Sequence, residues 1–152
     1  MKRKPTSSKR KNTGAIKSKK AVRDGITFAS SLEAYCYDQL KESGLDFQYE
    51  GESFTVLPSF KYEGMYLKST SGKKELVDYT GKAVRAITYK PDFVSHKHKF
   101  IIETKGFVPS NHSFPLRWKL FLKYLHENGM SDYSVFLPKN RAQVDDVINR
   151  LK

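Results

Sequence analysis

The sequence predicts a mixed α/β fold, a central sheet sandwiched between helices, and two observations carry that prediction. Segments with helical spacing of apolar residues alternate along the chain with β-branched and aromatic runs, in the order helix, strands, helix, strand, helix. The 152 residues are 38% apolar and 13% aromatic, which suffices for one domain to bury a core.

The elements follow in chain order. Residues 1–23, MKRKPTSSKRKNTGAIKSKKAVR, hold ten Lys or Arg and no acid, so they carry ten of the twelve formal positive charges. Such a block repels itself and has no apolar face to bury; a disordered basic arm is expected there, with the folded domain over 24–152. The arm reads either as a solubility tail or as a polyanion-binding element, with Lys17, Lys19 and Lys20 as candidate phosphate contacts. Nucleic acid is the favoured polyanion. No apolar run approaches the roughly 18 residues of a membrane-spanning helix, and the N-terminus lacks the apolar segment of a signal peptide. A single cysteine, Cys36, rules out an internal disulfide and fits a reducing cytoplasm; its place on an apolar helix face makes it a buried structural thiol.

Leu32, Tyr35, Cys36 and Leu40 recur at helical spacing ahead of Gly44, which predicts a helix over 31–43. DFQYEGESFTVLP reads as one strand ending before Pro58. Residues 61–82, rich in Gly, Ser and mixed charge, read as an irregular insertion or a long hairpin. RAITYKPDFVS and KFIIETKGF read as two strands joined by the polar HKHK, an exposed basic turn. FPLRWKLFLKYLHENG predicts a second helix with Leu116, Leu120, Phe121 and Tyr124 inward and Gly129 behind it. DYSVFLP is a further strand, and NRAQVDDVINRLK closes the chain as an amphipathic helix with Val144, Val147, Ile148 and Leu151 on one side.

The two strands around HKHK contain charges that a buried sheet does not need. A hairpin centred on Lys97 and His98 sets Asp92 opposite Glu103. Like charges facing across a strand pair are destabilising, and more so when partly buried, unless a cation sits between them. Strand alternation also puts Ile101, Glu103 and Lys105 on one face, which changes from apolar to charged toward its end. Two acids and an ammonium at the end of a buried strand point to a site. Two carboxylates suit Mg²⁺, which keeps several waters and takes one or two protein carboxylates beside substrate phosphate; a nearby lysine can orient a water or balance charge on the phosphate. Phosphodiester hydrolysis is the matching reaction class.

Pro91-Asp92 followed by Glu103-Thr104-Lys105 resembles the signature of the PD-(D/E)xK nuclease superfamily. SSLEAYCYDQLKESGLDFQYE with YKPDFV and IIETKGF is similar to the bacteriophage endonuclease I family of Holliday-junction-resolving enzymes, in which a glutamate-bearing helix precedes the hairpin. DGITFASSLEA, RAITYKPDF and PLRWKLF also resemble a related family of small phage proteins known only as a domain of unknown function. The likeness covers roughly residues 24–136 and departs from endonuclease I in the longer spacing from Glu33 to Asp92 and in the C-terminal region, which puts junction specificity and dimer architecture in question.

The resemblance implies a restriction-endonuclease-like sheet. It implies Asp92 and Glu103 as metal ligands, Lys105 as the catalytic lysine, Glu33 as the helix-borne acid completing the metal site, and the Thr104 carbonyl as a further ligand. It implies a Mg²⁺-dependent DNA endonuclease, with Mn²⁺ substituting, phage-encoded and working in the host cytoplasm as a homodimer on branched DNA such as four-way junctions. Each residue also has a plain structural reading. Ser30 and Glu33 form a capping-box pattern, Asp92 can be a turn acid, and Lys105 can pair with Glu103 as an ion pair of little energetic weight. Arg117, Lys119 and Lys123 on the second helix are candidate phosphate contacts or a solvated face, and Trp118 reads as core or rim. His112 and His126 read as surface or capping residues. The alternatives are a basic nucleic-acid-binding module that does not cut, and a nuclease of the same superfamily acting on linear duplex.

Overall fold

A computed structural model describes residues 18–108 and 112–152; Lys17 and the rest of residues 1–17 of the expected arm lie outside them. The expected arm boundary at residue 23 needs correction, because β1 (Ala21–Arg23) pairs antiparallel with β2 (Ile26–Phe28). The cause is Asp24-Gly25, whose φ angles of +49° and +77° are the left-handed pair that a two-residue hairpin turn requires. Lys19 and Lys20, just before β1, are exposed. Phe28 is buried and packs on Tyr37 and Tyr49.

Helix α1 (Ser31–Glu42) forms where its periodicity predicts, with Cys36 and Leu40 buried. The single strand expected after it is instead two, β3 (Gln48–Tyr49) and β4 (Phe54–Leu57). Glu50 takes a φ of +44° between them and turns the chain out of one sheet toward another. From β4 the chain builds a stepped antiparallel ribbon through β5 (Phe60–Lys61), β6 (Leu67–Lys68), β7 (Val77–Asp78), β8 (Ala83–Val84) and β9 (Ile87–Tyr89). Strand β6 pairs with β7, β5 with β8 and β4 with β9, so residues 61–82 are the long hairpin of the two forms expected.

RAITYKPDFVS is likewise two strands, because Pro91 has no N–H to give a ladder and ends β9 before β10 (Phe93–Ser95) begins. Strand β11 (Phe100–Ile102), helix α2 (Phe114–Glu127), strand β12 (Ser134–Phe136) and helix α3 (Arg141–Leu151) complete the chain. The central sheet has four strands in the order β12-β11-β10-β3, with β11 and β12 parallel across the α2 connection and the other pairs antiparallel. The fold is thus mixed α/β with a mixed sheet and three helices.

The register of β10 and β11 is the expected one: Phe93 faces Ile102, Val94 faces Ile101 and Ser95 faces Phe100. Its turn spans His96 to Lys99, closed by the His98 N–H donating to Ser95 Oγ at 3.1 Å. The turn is exposed, as expected, and within it His96 contacts Glu52 through Nε2 at 2.8 Å and the Tyr133 hydroxyl through Nδ1 at 2.7 Å. Strand alternation then sorts the core into two layers. Phe93, Phe100 and Ile102 pack with Cys36 and Leu40 of α1 and Val144, Val147 and Ile148 of α3. Val94 and Ile101 pack on the opposite side with Phe54, Tyr89 and the α2 residues Phe114, Phe121 and Leu125. The inward face of α2 also needs correction: Leu116 is 63% exposed, and Phe114, Phe121 and Leu125 are the buried residues, with Trp118 half-buried among them. Aromatic contacts decide this rotation, as Phe121 stacks on Tyr89 and Trp118 meets the same ring edge-on. Among the described residues no helix is long and apolar enough to cross a membrane.

Candidate active site

One position beyond the last paired residues of the hairpin, Asp92 and Glu103 come together as the register requires. The Asp92 N–H lies 3.3 Å from Glu103 Oε2. The strand stays extended past β11 because the N–H groups of Glu103 and Lys105 donate to the carbonyls of Phe136 and Pro138, each at 3.0 Å. Thr104 between them donates to Asp92 Oδ2 twice, from its N–H at 2.8 Å and its hydroxyl at 2.7 Å. This fixes the Asp92 carboxylate and gives Thr104 a holding role beside the carbonyl role expected of it. Lys105 Nζ stands 3.5 Å from Glu103 Oε1 and 4.8 Å from the centre of the Phe114 ring. The ion pair is only half withdrawn from water, with Glu103 buried and Lys105 partly exposed.

Glu33 reaches the same cavity from α1, a space of about 300 Å³ that Asp92, Glu103 and Lys105 also line. Its capping role is realised, with the return bond going to the residue before the N-cap. The Glu33 N–H donates to Ser30 Oγ at 3.1 Å, and its carboxylate accepts from the Ser30 hydroxyl and the Ala29 N–H, each at 3.1 Å. The Tyr49 hydroxyl adds a fourth bond, to Glu33 Oε2 at 3.0 Å. Glu33 therefore fastens the start of α1 while presenting its charge to the cavity.

Electrostatics mark this cavity. Burial, then the Glu103 carboxylate, push the Asp92 carboxyl up to about 7, against the opposing Thr104 bonds. Burial also raises Glu103, with Lys105 opposing. Tyr89, only 4% exposed, has its hydroxyl buried beside Glu103 without a hydrogen bond of good geometry, and burial and that carboxylate raise its pKa. Two facing carboxylates that resist ionising together are a donor pair that a hard divalent cation relieves, and Asp92 with Glu103 fits Mg²⁺ in that sense. Among the described residues no three His, Cys, Asp or Glu side chains converge to hold one ion, so Glu33 stands apart from that pair.

The proposed phosphate contacts on α2 separate. Arg117 lines the cavity, donates from Nη2 to the Thr88 carbonyl at 2.5 Å and lies 5.8 Å from the Tyr89 ring centre. Lys119 and Lys123 sit about 200° and 240° further round the helix, and Lys123 is paired with Glu127 four residues on. They do not form one patch with Arg117. Two cavity residues carried no signal as such in the sequence. Tyr89 reads as an ordinary strand aromatic, and His112 as a surface or capping residue; in the fold His112 does cap, its Nδ1 accepting the Phe114 N–H at 3.1 Å at the start of α2, but at the cavity wall.

No curated protein and no solved structure matches the chain. The sequence profile of a family described as a protein of unknown function, DUF1064, matches residues 14–135, which include every residue of the cavity. A match over most of the length settles membership: the chain belongs to the DUF1064 family.

Proposed function

We propose that the cavity hydrolyses phosphodiester bonds, and that the protein is a Mg²⁺-dependent DNA endonuclease of the PD-(D/E)xK type. The observation that carries this reading is the convergence of Asp92, Glu103 and Lys105 at one end of the β10–β11 hairpin, with Asp92 held for the task by two bonds from Thr104. Bound Mg²⁺ supplies a water of lowered pKa and neutralises charge on the phosphate. Asp92 and Glu103 would hold it. Lys105 is positioned to orient the attacking water or to balance charge on the phosphate, its ammonium kept in place by Glu103 and the Phe114 ring. Arg117 supplies a second positive group among the residues that line the cavity. Glu33 contributes field and, through α1, position.

The likeness to junction-resolving enzymes extends the proposal to branched DNA. Resolution needs two opposed cuts, so a two-fold homodimer belongs to the same proposal. A second reading, a binding module whose acids are structural, is favoured by one observation: the Glu33 carboxylate accepts three bonds, from Ser30 and Ala29 at the start of its own helix and from Tyr49. The test is cleavage of an end-labelled four-way junction with excess linear competitor, with Mg²⁺ or with chelator. Paired metal-dependent nicks near the branch point, lost in Lys105→Ala with junction binding retained, support the resolvase. Cutting that is undiminished in that variant removes the site, and no cutting of junction or duplex favours the binding module.

A further inference from the structure

The ribbon beyond β4 and β9 is exposed over nearly all of its length, from Pro58 to Leu76, and β5 to β8 pair only with each other. Yet of the ten large apolar side chains that are exposed on the described residues, six lie on it, including Met65 at 82%. A free two-stranded ribbon is marginal in water, and apolar groups concentrated on one call for a partner.

The identity of the partner follows from how the ribbon sorts its residues. Register puts Val84 opposite Phe60, and the Gly81 N–H donates to the Tyr62 carbonyl at 3.1 Å. Further out, the Tyr79 N–H donates to the Tyr66 carbonyl at 2.7 Å, and the two rings stand 6.0 Å apart. Phe60, Tyr62 and Tyr66 line one shallow apolar hollow with Val84. Lys68 and Lys82 place their ammonium groups 4.1 and 4.3 Å from the centre of the Tyr79 ring. Asp78, by contrast, lies beside Leu67 on the opposite face, turned back onto the Thr80 N–H at 2.8 Å. Across residues 60–85 there are six basic side chains and three acidic ones.

We infer that this ribbon face is a binding platform for unpaired bases of a nucleic acid strand, with the rings of Phe60, Tyr62 and Tyr66 stacking bases while Lys68 and Lys82 pair with the phosphates. Accessible aromatic rings interleaved with ammonium groups are the chemistry of single-strand binding. A second copy of the chain would bring like charge against like charge on this ribbon; a polyanion does not. The platform deepens the nuclease reading by naming unpaired strand, as found at branch points, as what the ribbon holds. It is tested without cutting, so its failure is separable from failure of the active site.

The experiment is fluorescence anisotropy of a labelled oligothymidine against the full-length protein in chelator, with unlabelled blunt duplex in excess to occupy the basic arm. Tyr62→Ala with Tyr66→Ala should weaken oligothymidine binding by about tenfold or more with little change in salt dependence, whereas Tyr62→Phe with Tyr66→Phe should bind as the parent does. Lys68→Ala with Lys82→Ala should lower the salt slope by about 1.4. Both Tyr positions are exposed, and an unchanged far-ultraviolet dichroism spectrum checks the fold. Unaltered oligothymidine affinity in the double alanine variant overturns the proposal. So does a loss of self-association in that variant, measured by sedimentation without DNA, if strand binding is unchanged, since the face would then serve a second copy.

Discussion

Replacing Asp92 by Asn should make the metal-free protein more stable at pH 8. In the folded chain burial and the facing Glu103 carboxylate raise the Asp92 carboxyl from 3.8 to about 7, while the unfolded chain keeps the ordinary value. Between those values the folded state binds the extra proton, so stability falls as pH rises from about 4 through 7 and is flat above. At 1.4 kcal/mol per unit the cost of keeping Asp92 ionised in its buried site above pH 7 is about 4 kcal/mol, with burial the larger cause and Glu103 the second. An Asn side chain retains the oxygen that Thr104 needs and carries no charge to set against Glu103. Urea unfolding in chelator at pH 8 should therefore show a midpoint higher by more than about 1 M in Asp92→Asn, and the two proteins should converge toward pH 4. Adding Mg²⁺ should stabilise the parent and leave the variant unmoved. Equal or lower stability of the variant at pH 8, with parallel pH profiles, would refute the claim that burial and the facing Glu103 carboxylate disfavour the Asp92 charge.

Three further outcomes are expected. Ser30→Ala removes the acceptor of the Glu33 N–H and should cost about 1 kcal/mol, read as a lowered melting temperature, and any nuclease activity should fall with it because Glu33 loses two of its four bonds. Phe121→Ala empties a fully buried position between Phe54, Tyr89 and Trp118 and should cost about 3 to 5 kcal/mol in denaturant unfolding. Deleting residues 1–20 removes nine basic side chains but stops short of β1, so DNA affinity and its salt dependence should drop while the unfolding transition stays in place; an unchanged salt slope would assign the arm another task.

The parts of the fold that were legible were those where one local rule decides. Centring the hairpin on Lys97 and His98 gives its register and delivers Asp92 to Glu103, and the fold holds that register because a one-residue slip would exchange the two core layers of Phe93, Ile102 and Val94, Ile101. The α3 stripe was equally plain. The misread places were those where neighbours decide. Asp24-Gly25 is a hairpin signal, but the adjoining basic block dominated its surroundings and hid β1. Pro91 and Glu50 each divide what looks like one strand, and only the pairing of β9 with β4 and of β10 with β3 shows that the halves belong to different sheets. Exposure of Leu116 and burial of Phe114 depend on where Tyr89 and Phe54 place their rings, which spacing along α2 does not encode. In the site, Asp92, Glu103 and Lys105 were readable as charges in an apolar strand; His112 and Tyr89 were not, because each is an ordinary residue until the fold brings it to the cavity.

Phe54 and Tyr89, where the ribbon leaves and rejoins the body, are cross-strand partners. Because the two ends already lie side by side, the segment between them is interchangeable hardware: a tight turn could replace it, or a longer ribbon extend it, without moving the hairpin that bears Asp92 and Glu103. Reach toward a substrate and chemistry upon it are therefore separable in this chain, and swapping the ribbon offers a way to redirect one while leaving the other untouched.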